Sequence, residues 1–575
     1  MTHLLAEIAL AVGTWVWWWG VFFALGMLLR RLVRLPARDV EGLLLTFWFG
    51  WAFAIIMLQL WHLALPVDAR CRLLVHALAL AGVAAGWRDL RARWGDISLL
   101  GRRRPGLLAA IVVGFVLLLV NDAMSAPALY DTGVYHLRVV RWSEAYPLVI
   151  GLANLQRALA VNQSHFLYVA LVDTGAWGHE SYRLANGLLL GAVFLPVLSG
   201  AWEWRRDLEP PRDRSGWIHL FLLPPLVNQA VRVYVPCPTP DLTVMCLGLV
   251  QFLFLLRLST AEAEEDRWES FFAVALLAAV GTTVKLSFPV LGWATLLAAA
   301  WLVARQRPCG RAWMRMGGAV AALIVVAVVP WWTRGVLSNG YPMYPSLLGA
   351  FSVPWRLPEV CVRNSVDRIQ SWARNPGHDW RQVLGSWAWL APWAKRMAHK
   401  FQEVVIPSGL ALSGGVLLLR RDDGRAEGTS CGTVALLGAP AAVSLVFWFL
   451  TAPDERFALA PFWILGSLLA GAGMAGIRAP RVRGLAWATV AVLLLLPLRR
   501  APLVGTLQPT PAPVLDRYET DSGLLLTVPR HDDHCWNASL LCTPQPKKGL
   551  RLRDGRHLRS GFVVDWRNPP EECGS

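Results

Sequence analysis

Side chains able to do chemistry are sparse in this chain, where 55% of 575 residues are apolar and only 16% are charged. The densest group stands in YDTGVYHLRVVRWSEA, which carries Asp131, Tyr135, His136, Arg138, Arg141 and Glu144. Asp131 and His136 are five residues apart, off one helix face but close enough to line one pocket. There a carboxylate acts as a general base toward a hydroxyl and a histidine carries protons. Each also has a plainer reading. Val134, Leu137 and Val140 mark a helix between Thr132 and Ala145, so Asp131 stands where an N-cap would, and His136 suits a packing position. Two cations, Lys285 in GTTVKLSFP and Arg456 in TAPDERFALAPFW, are bounded by apolar sequence. Charge at such depth points to a bound phosphate, unless it snorkels into headgroups or, for Arg456, pairs with Asp454 and Glu455. A second polar region, 333–403, holds Tyr341 and Tyr344 in GYPMYPS and interleaves arginines with tryptophans. Such residues bind phosphates and stack on sugars, or dock on the bilayer. No CxxC pair or His/Cys set at zinc spacing occurs, so no structural zinc is expected. Nor does an acidic cluster show metal geometry, and the need for a divalent cation is left open.

The sequence offers one kind of scaffold for these residues. Apolar stretches recur at 4–29, 42–65, 73–86, 107–120, 184–202, 217–231, 242–256, 270–281, 286–304, 317–332, 404–419, 433–450, 459–476 and 485–498. They predict an all-α polytopic membrane protein with about fourteen transmembrane helices crossing a core of roughly 30 Å. The start, MTHLLAEIALAVG, lacks a basic leader and a clear cleavage site, so the first stretch reads as a retained helix. The formal charge of +16 and the 31 tryptophans fit loops and headgroup belts. With no long basic stripe carrying interleaved aromatics, nucleic acid is not an expected partner; the lipid bilayer is.

Alternate loops separate by charge. One set carries Arg30, Arg31, Arg34 and Arg38, then Arg88, Arg91, Arg93 and Arg102 to Arg104, then Arg205, Arg206, Arg212 and Arg214. It continues with Arg305, Arg307, Arg311 and Arg315, then Arg420, Arg421 and Arg425, then Arg478, Arg481 and Arg483. Only the acidic loop 259–269 breaks the pattern. The positive-inside rule makes this set cytoplasmic and the N-terminus periplasmic, in a bacterial inner membrane. Three long polar stretches, 121–183, 333–403 and 499–575, then fall together on the periplasmic side, and long ordered loops are usually functional. The chain divides into a bundle over 1–498 and a small periplasmic tail over 499–575. In that tail Cys535 and Cys542 could form a disulfide, while the other cysteines read as small apolar packing groups.

Such a bundle, with an early aspartate in its first large periplasmic loop, resembles the GT-C class of membrane glycosyltransferases, which includes protein mannosyltransferases and oligosaccharyltransferases. YDTGVYHLRVVRW followed by YPLVIGLANLQRALAVNQSHF also resembles a family of bacterial multipass proteins with a YDTxxYH…YPxVxGLxNL pattern, as do PTPD, GYPMYPS and CWNASLLCTP. The resemblance implies a GT-C-like bundle and transfer from a polyprenyl-phosphate sugar donor to a periplasmic glycan, lipid or protein acceptor. Asp131 would be the catalytic carboxylate with His136 beside it, and Arg456 and Lys285 would hold the donor phosphate. Tyr135, Arg138, Arg141, Glu144, Tyr341 and Tyr344 would form the acceptor loops. Where that class often has a second acid, this chain has Thr132. Two other readings stay open. An O-antigen-type polymerase or ligase would lean on Arg374, His378 and His399; a lipid or solute transporter would show internal repeats, and none is visible.

Overall fold

The computed structural model describes all residues except 1, 36–38, 101–104, 176, 207–213, 307–309, 421–430, 476, 478 and 567–575. The expected arginines Arg38, Arg102 to Arg104, Arg212, Arg307, Arg421, Arg425 and Arg478 lie outside the described residues. Each expected apolar stretch falls on a helix. They are Thr2–Val33, Val40–His62, Ala69–Leu100, Pro105–Ala123, Leu184–Arg206, Arg214–Gln229, Pro240–Thr260, Glu264–Val284, Pro289–Arg305, Gly310–Asn339, Ile406–Leu419, Cys431–Thr451, Leu459–Met474 and Pro480–Leu495. Among the described residues, 10 helices are long and apolar enough to cross a membrane, and Pro289–Arg305 and Leu459–Met474 are shorter apolar helices. The chain is therefore helical and multipass in character, with fewer full-length spans than apolar stretches.

The helices are not equivalent. Pro240–Thr260 has 89% of its most apolar window buried and forms the centre, whereas Gly310–Asn339 has 17% buried and runs along the outside. The central helix starts sharply: Thr239 caps the backbone N–H of Asp241, and Pro240 occupies the first helical position, where its missing N–H is not needed.

The three long polar stretches pack together on one face. Leu148 N donates to His62 O at 2.8 Å, Gly151 N to Leu337 O at 2.8 Å, and Phe562 N to Ile150 O at 2.9 Å. The start of the first helix joins them, with Leu507 N donating to the Glu7 carboxylate at 3.3 Å. In the first stretch, a π-helical turn Thr132–His136 runs into the helix Leu137–Ala145. This helix is packed among the loops. Its Leu137, Arg138, Val140 and Trp142 are buried, and Trp142 packs edge-on against Phe562 of the tail. The tail adds the only paired strands among the described residues: β1 (Leu515–Glu519) with β2 (Leu525–Pro529), and β3 (Leu550–Leu552) with β4 (Phe562–Val564), both antiparallel. Cys535 and Cys542 form the expected disulfide. Of the cysteines expected to pack as small apolar groups, Cys361 is buried but disulfide-bonded, and Cys431 is exposed.

On the opposite face one acid of the loop that breaks the arginine pattern, Glu269, meets a buried arginine. Arg30 donates to the Glu269 carboxylate at 2.7 Å, with side chains 5% and 1% exposed. Arg257 pairs with Asp39 at 2.8 Å and Glu41 at 3.1 Å. The acids neutralise arginines drawn into the bundle. Removing one partner of a buried pair strands a charge, at a typical cost of about 3–5 kcal/mol, whereas replacing both with apolar groups is often neutral. Glu269→Gln should accordingly lower the unfolding temperature of the purified protein sharply, and Arg30→Met with Glu269→Leu should recover most of the loss. Equal losses in single and double variants would contradict the pairing.

Candidate functional site

The first loop, the start of the central helix and a short turn between two late helices meet at one place. Asp131 precedes the π-helical turn, but its side chain makes no capping bond. Its carboxylate instead accepts from Arg456 Nη1 at 2.9 Å, across 325 residues of sequence. The N-cap reading of Asp131 is thus corrected. Arg456 stands in a short 3-10 turn, Glu455–Phe457, capped by Asp454, whose Oδ1 lies 3.5 Å from Arg456 Nε. Burial works against the guanidinium, but Asp241, Asp131 and Asp454 outweigh it and raise its pKa. Lys285, just past the Glu264–Val284 helix, forms an ion pair with Asp241. Phe457 lies under both cations, 4.7 Å from Lys285 Nζ and 4.9 Å from the Arg456 guanidinium carbon. The expected donor-phosphate cations are therefore neither snorkelling nor isolated, and the structure brings them together with Asp131.

Each element is braced. Asn186 Nδ2 donates to the carbonyls of Tyr234, Cys237 and Thr239, fixing the turn that presents Asp241, and Thr239 donates to its Oδ2 at 3.1 Å. On the Arg456 turn, Trp393 and Trp448 donate indole N–H groups to Pro453 O and Asp454 O at 2.7 Å each, and Glu455 pairs with Lys400. Trp393 of the second polar stretch and Trp448 of the Cys431–Thr451 helix thus hold the turn in place.

Next to the charges opens a small, partly open cleft. Asp241 and Arg456 line it along with apolar Val244, Met245, Phe288, Leu291 and Leu459, and hydroxyls of Ser287 and Ser444. The arrangement suits an amphiphile with a polar head and an apolar tail.

His136 is only 2% exposed. Its ring packs against Tyr135 and Phe166, and burial, only partly countered by Asp131, lowers its pKa to about 4. Burial similarly lowers His165, bonded to Thr243 at 3.0 Å, to about 3. Tyr135 is buried and its pKa raised, by burial first and then by Asp131. The remaining expected acceptor-loop residues do not converge on Asp131. Arg138 donates to Gln156 Oε1 and Leu540 O, both at 2.7 Å. Arg141 ties Glu144 and Asp173, at 2.8 Å each, to Asn537 of the tail. Tyr341 donates to Leu357 O at 2.8 Å, and Tyr344 bonds Ser365 at 2.9 Å. These contacts assemble the loops. His378 and His399 are exposed, and Arg374 lies over Trp389 and donates to Leu450 O, so this trio does not form a second constellation.

The tail covers the Asp131 turn. Trp536 N donates to Gly133 O at 2.9 Å, Tyr130 donates to Asp533, and a Cβ on Gly133 would lie 2.5 Å from His534 and 2.8 Å from Trp536. Asp241 and Asp454 are the site residues that sequence reasoning does not single out. Asp241 shows only its place in PTPD, and Asp454 reads as a local neutraliser. Among the described residues, no group of three His, Cys, Asp or Glu side chains is placed to hold a metal ion.

Fold and site together define a multipass membrane protein with an ion-paired cluster at the head of an apolar cleft. The chain belongs to the family described as domain of unknown function DUF8201, whose model matches residues 9–463. That span includes Asp131, Asp241, Lys285 and Arg456 and ends before the tail. No curated protein and no solved structure matches the chain.

Two outcomes follow. Gly133→Val should push His534 and Trp536 off the turn and make the tail easier to cleave in limited proteolysis; unchanged resistance would mean the contact does not hold the tail. Because His136 and His165 are disfavoured as cations in the fold, stability is full above their unfolded value near 6.5 and lost as pH falls toward 4. His136→Gln should flatten that acid limb in pH-dependent thermal unfolding, and an unchanged slope would contradict it.

Proposed function

We propose that the chain is a membrane glycosyltransferase that moves a sugar from a polyprenyl-phosphate-linked donor to a cell-envelope acceptor. On this reading the face carrying the site, the start of the first helix and the tail is periplasmic, as the arginine distribution suggests. The observation that carries the proposal is the Asp131–Arg456 contact beside a cleft whose walls are apolar and whose head is charged. An isoprenoid chain finds apolar walls there, and its phosphate finds Arg456 and Lys285.

The reaction needs few parts. An incoming phosphate competes with Asp131 for the guanidinium and displaces it, because a phosphate is the more highly charged acceptor. The released carboxylate takes the proton from the acceptor hydroxyl, whose oxygen bonds to the anomeric carbon as the carbon–oxygen bond to phosphate breaks. The phosphate leaves with the electron pair, and its charge is met by Arg456 and Lys285. Buried, neutral His136 shapes the wall beside Asp131, a narrower role than that of a proton carrier.

Asp131→Asn keeps the hydrogen-bond acceptor for Arg456 but removes the base. It should lower transfer of labelled sugar from polyprenyl-linked donors into envelope glycan by about 100-fold or more, with an unchanged amount of protein in the membrane. Arg456→Gln should mainly weaken donor binding. Full activity in Asp131→Asn membranes would refute the reading, and movement of labelled lipid without any glycan product would replace it with transport.

A further inference from the structure

A second cavity lies on the same face, away from the ion-paired cluster. It is small and partly open, and is walled by the ends of Val40–His62 and Gly310–Asn339, the Leu137–Ala145 helix and the segment after it. Arg334 lines it, and the residue is 6% exposed. A buried guanidinium normally meets a carboxylate. Arg334 has none among the described residues: Nη1 donates to His62 Nδ1 at 2.6 Å and Nε to Asn162 Oδ1 at 3.2 Å. Because His62 Nδ1 accepts, its proton sits on Nε2 and points to Tyr146 O at 3.1 Å, so the imidazole orients Arg334 without neutralising it.

Two more lining residues carry polar atoms that stand alone. Trp142 is 3% exposed and its indole Nε1 is buried without a hydrogen-bond partner; the same holds for Oε1 of Gln163, a residue 9% exposed. Buried polar groups are nearly always satisfied. A cation lacking its counter-ion, a free N–H donor and a free acceptor around one cavity make a coherent demand. Val149, Leu152 and Leu159 supply apolar wall beside them.

We propose that this cavity is a binding site for a phosphate-bearing ligand, with the oxyanion on Arg334 and the Trp142 N–H, a ligand hydroxyl on Gln163, and an apolar portion along the wall. It is independent of the reaction assigned to Asp131. The apolar wall beside the polar groups favours a lipid headgroup over free phosphate.

The test uses the full chain in detergent with Arg456→Gln in place, so that the first site lacks its guanidinium. Geranyl phosphate and inorganic phosphate are titrated separately by calorimetry. Geranyl phosphate should bind; Arg334→Gln should abolish binding, Trp142→Phe should weaken it about tenfold, as loss of one hydrogen bond to a charged group does, and Arg334→Lys should retain part of it. Inorganic phosphate binding as tightly as geranyl phosphate would support the same site with a soluble ligand. Binding of neither probe, or binding unchanged by Arg334→Gln in a protein with normal thermal unfolding, would overturn the proposal.

Discussion

Arg456 sits among three carboxylates, Asp131, Asp241 and Asp454, drawn from three separate parts of the chain. Desolvating an ion is so costly that it must be met by partners, and here each partner arrives on a differently supported element. Asp131 comes on a turn covered by the tail, Asp241 at the start of the deeply buried Pro240–Thr260 helix, and Asp454 on a turn pinned by two indoles. Lys285 closes the network through Asp241. The first loop, the central helix and the late turn must therefore be placed correctly together, because an error in one leaves a charge without company.

The opposite face follows the same rule with a different result. Arg30 with Glu269, and Arg257 with Asp39 and Glu41, are matched pairs. Arg456 and Arg334 by contrast each line a pocket.

Much of the architecture was legible in the sequence because burial in an apolar medium leaves long signals. Every apolar stretch became a helix, and the arginine asymmetry placed three polar stretches together, as their mutual hydrogen bonds now show. Lys285 and Arg456 could be picked out as charges in apolar surroundings, and Asp131 as the first acid of the densest polar group. Their meeting could not, because a contact across 325 residues leaves no periodicity. The tail strands are three to five residues long, too short for an alternation pattern. Arg138, Arg141 and Tyr341 carry the residue types of a binding loop, yet they use them on neighbouring backbone and side chains. Residue type reports capacity, and only the fold decides where that capacity is directed.

The cover over Gly133 has a consequence for the order of assembly. Membrane helices enter the bilayer as they are made, so the turn bearing Asp131 exists long before the segment that roofs it. His534 and Trp536 follow the last helix, and the family match ends at residue 463, short of them. The roof is thus fitted late, onto a turn that already exists. A chain halted before that point would leave Gly133 without the His534 and Trp536 side chains that cover it.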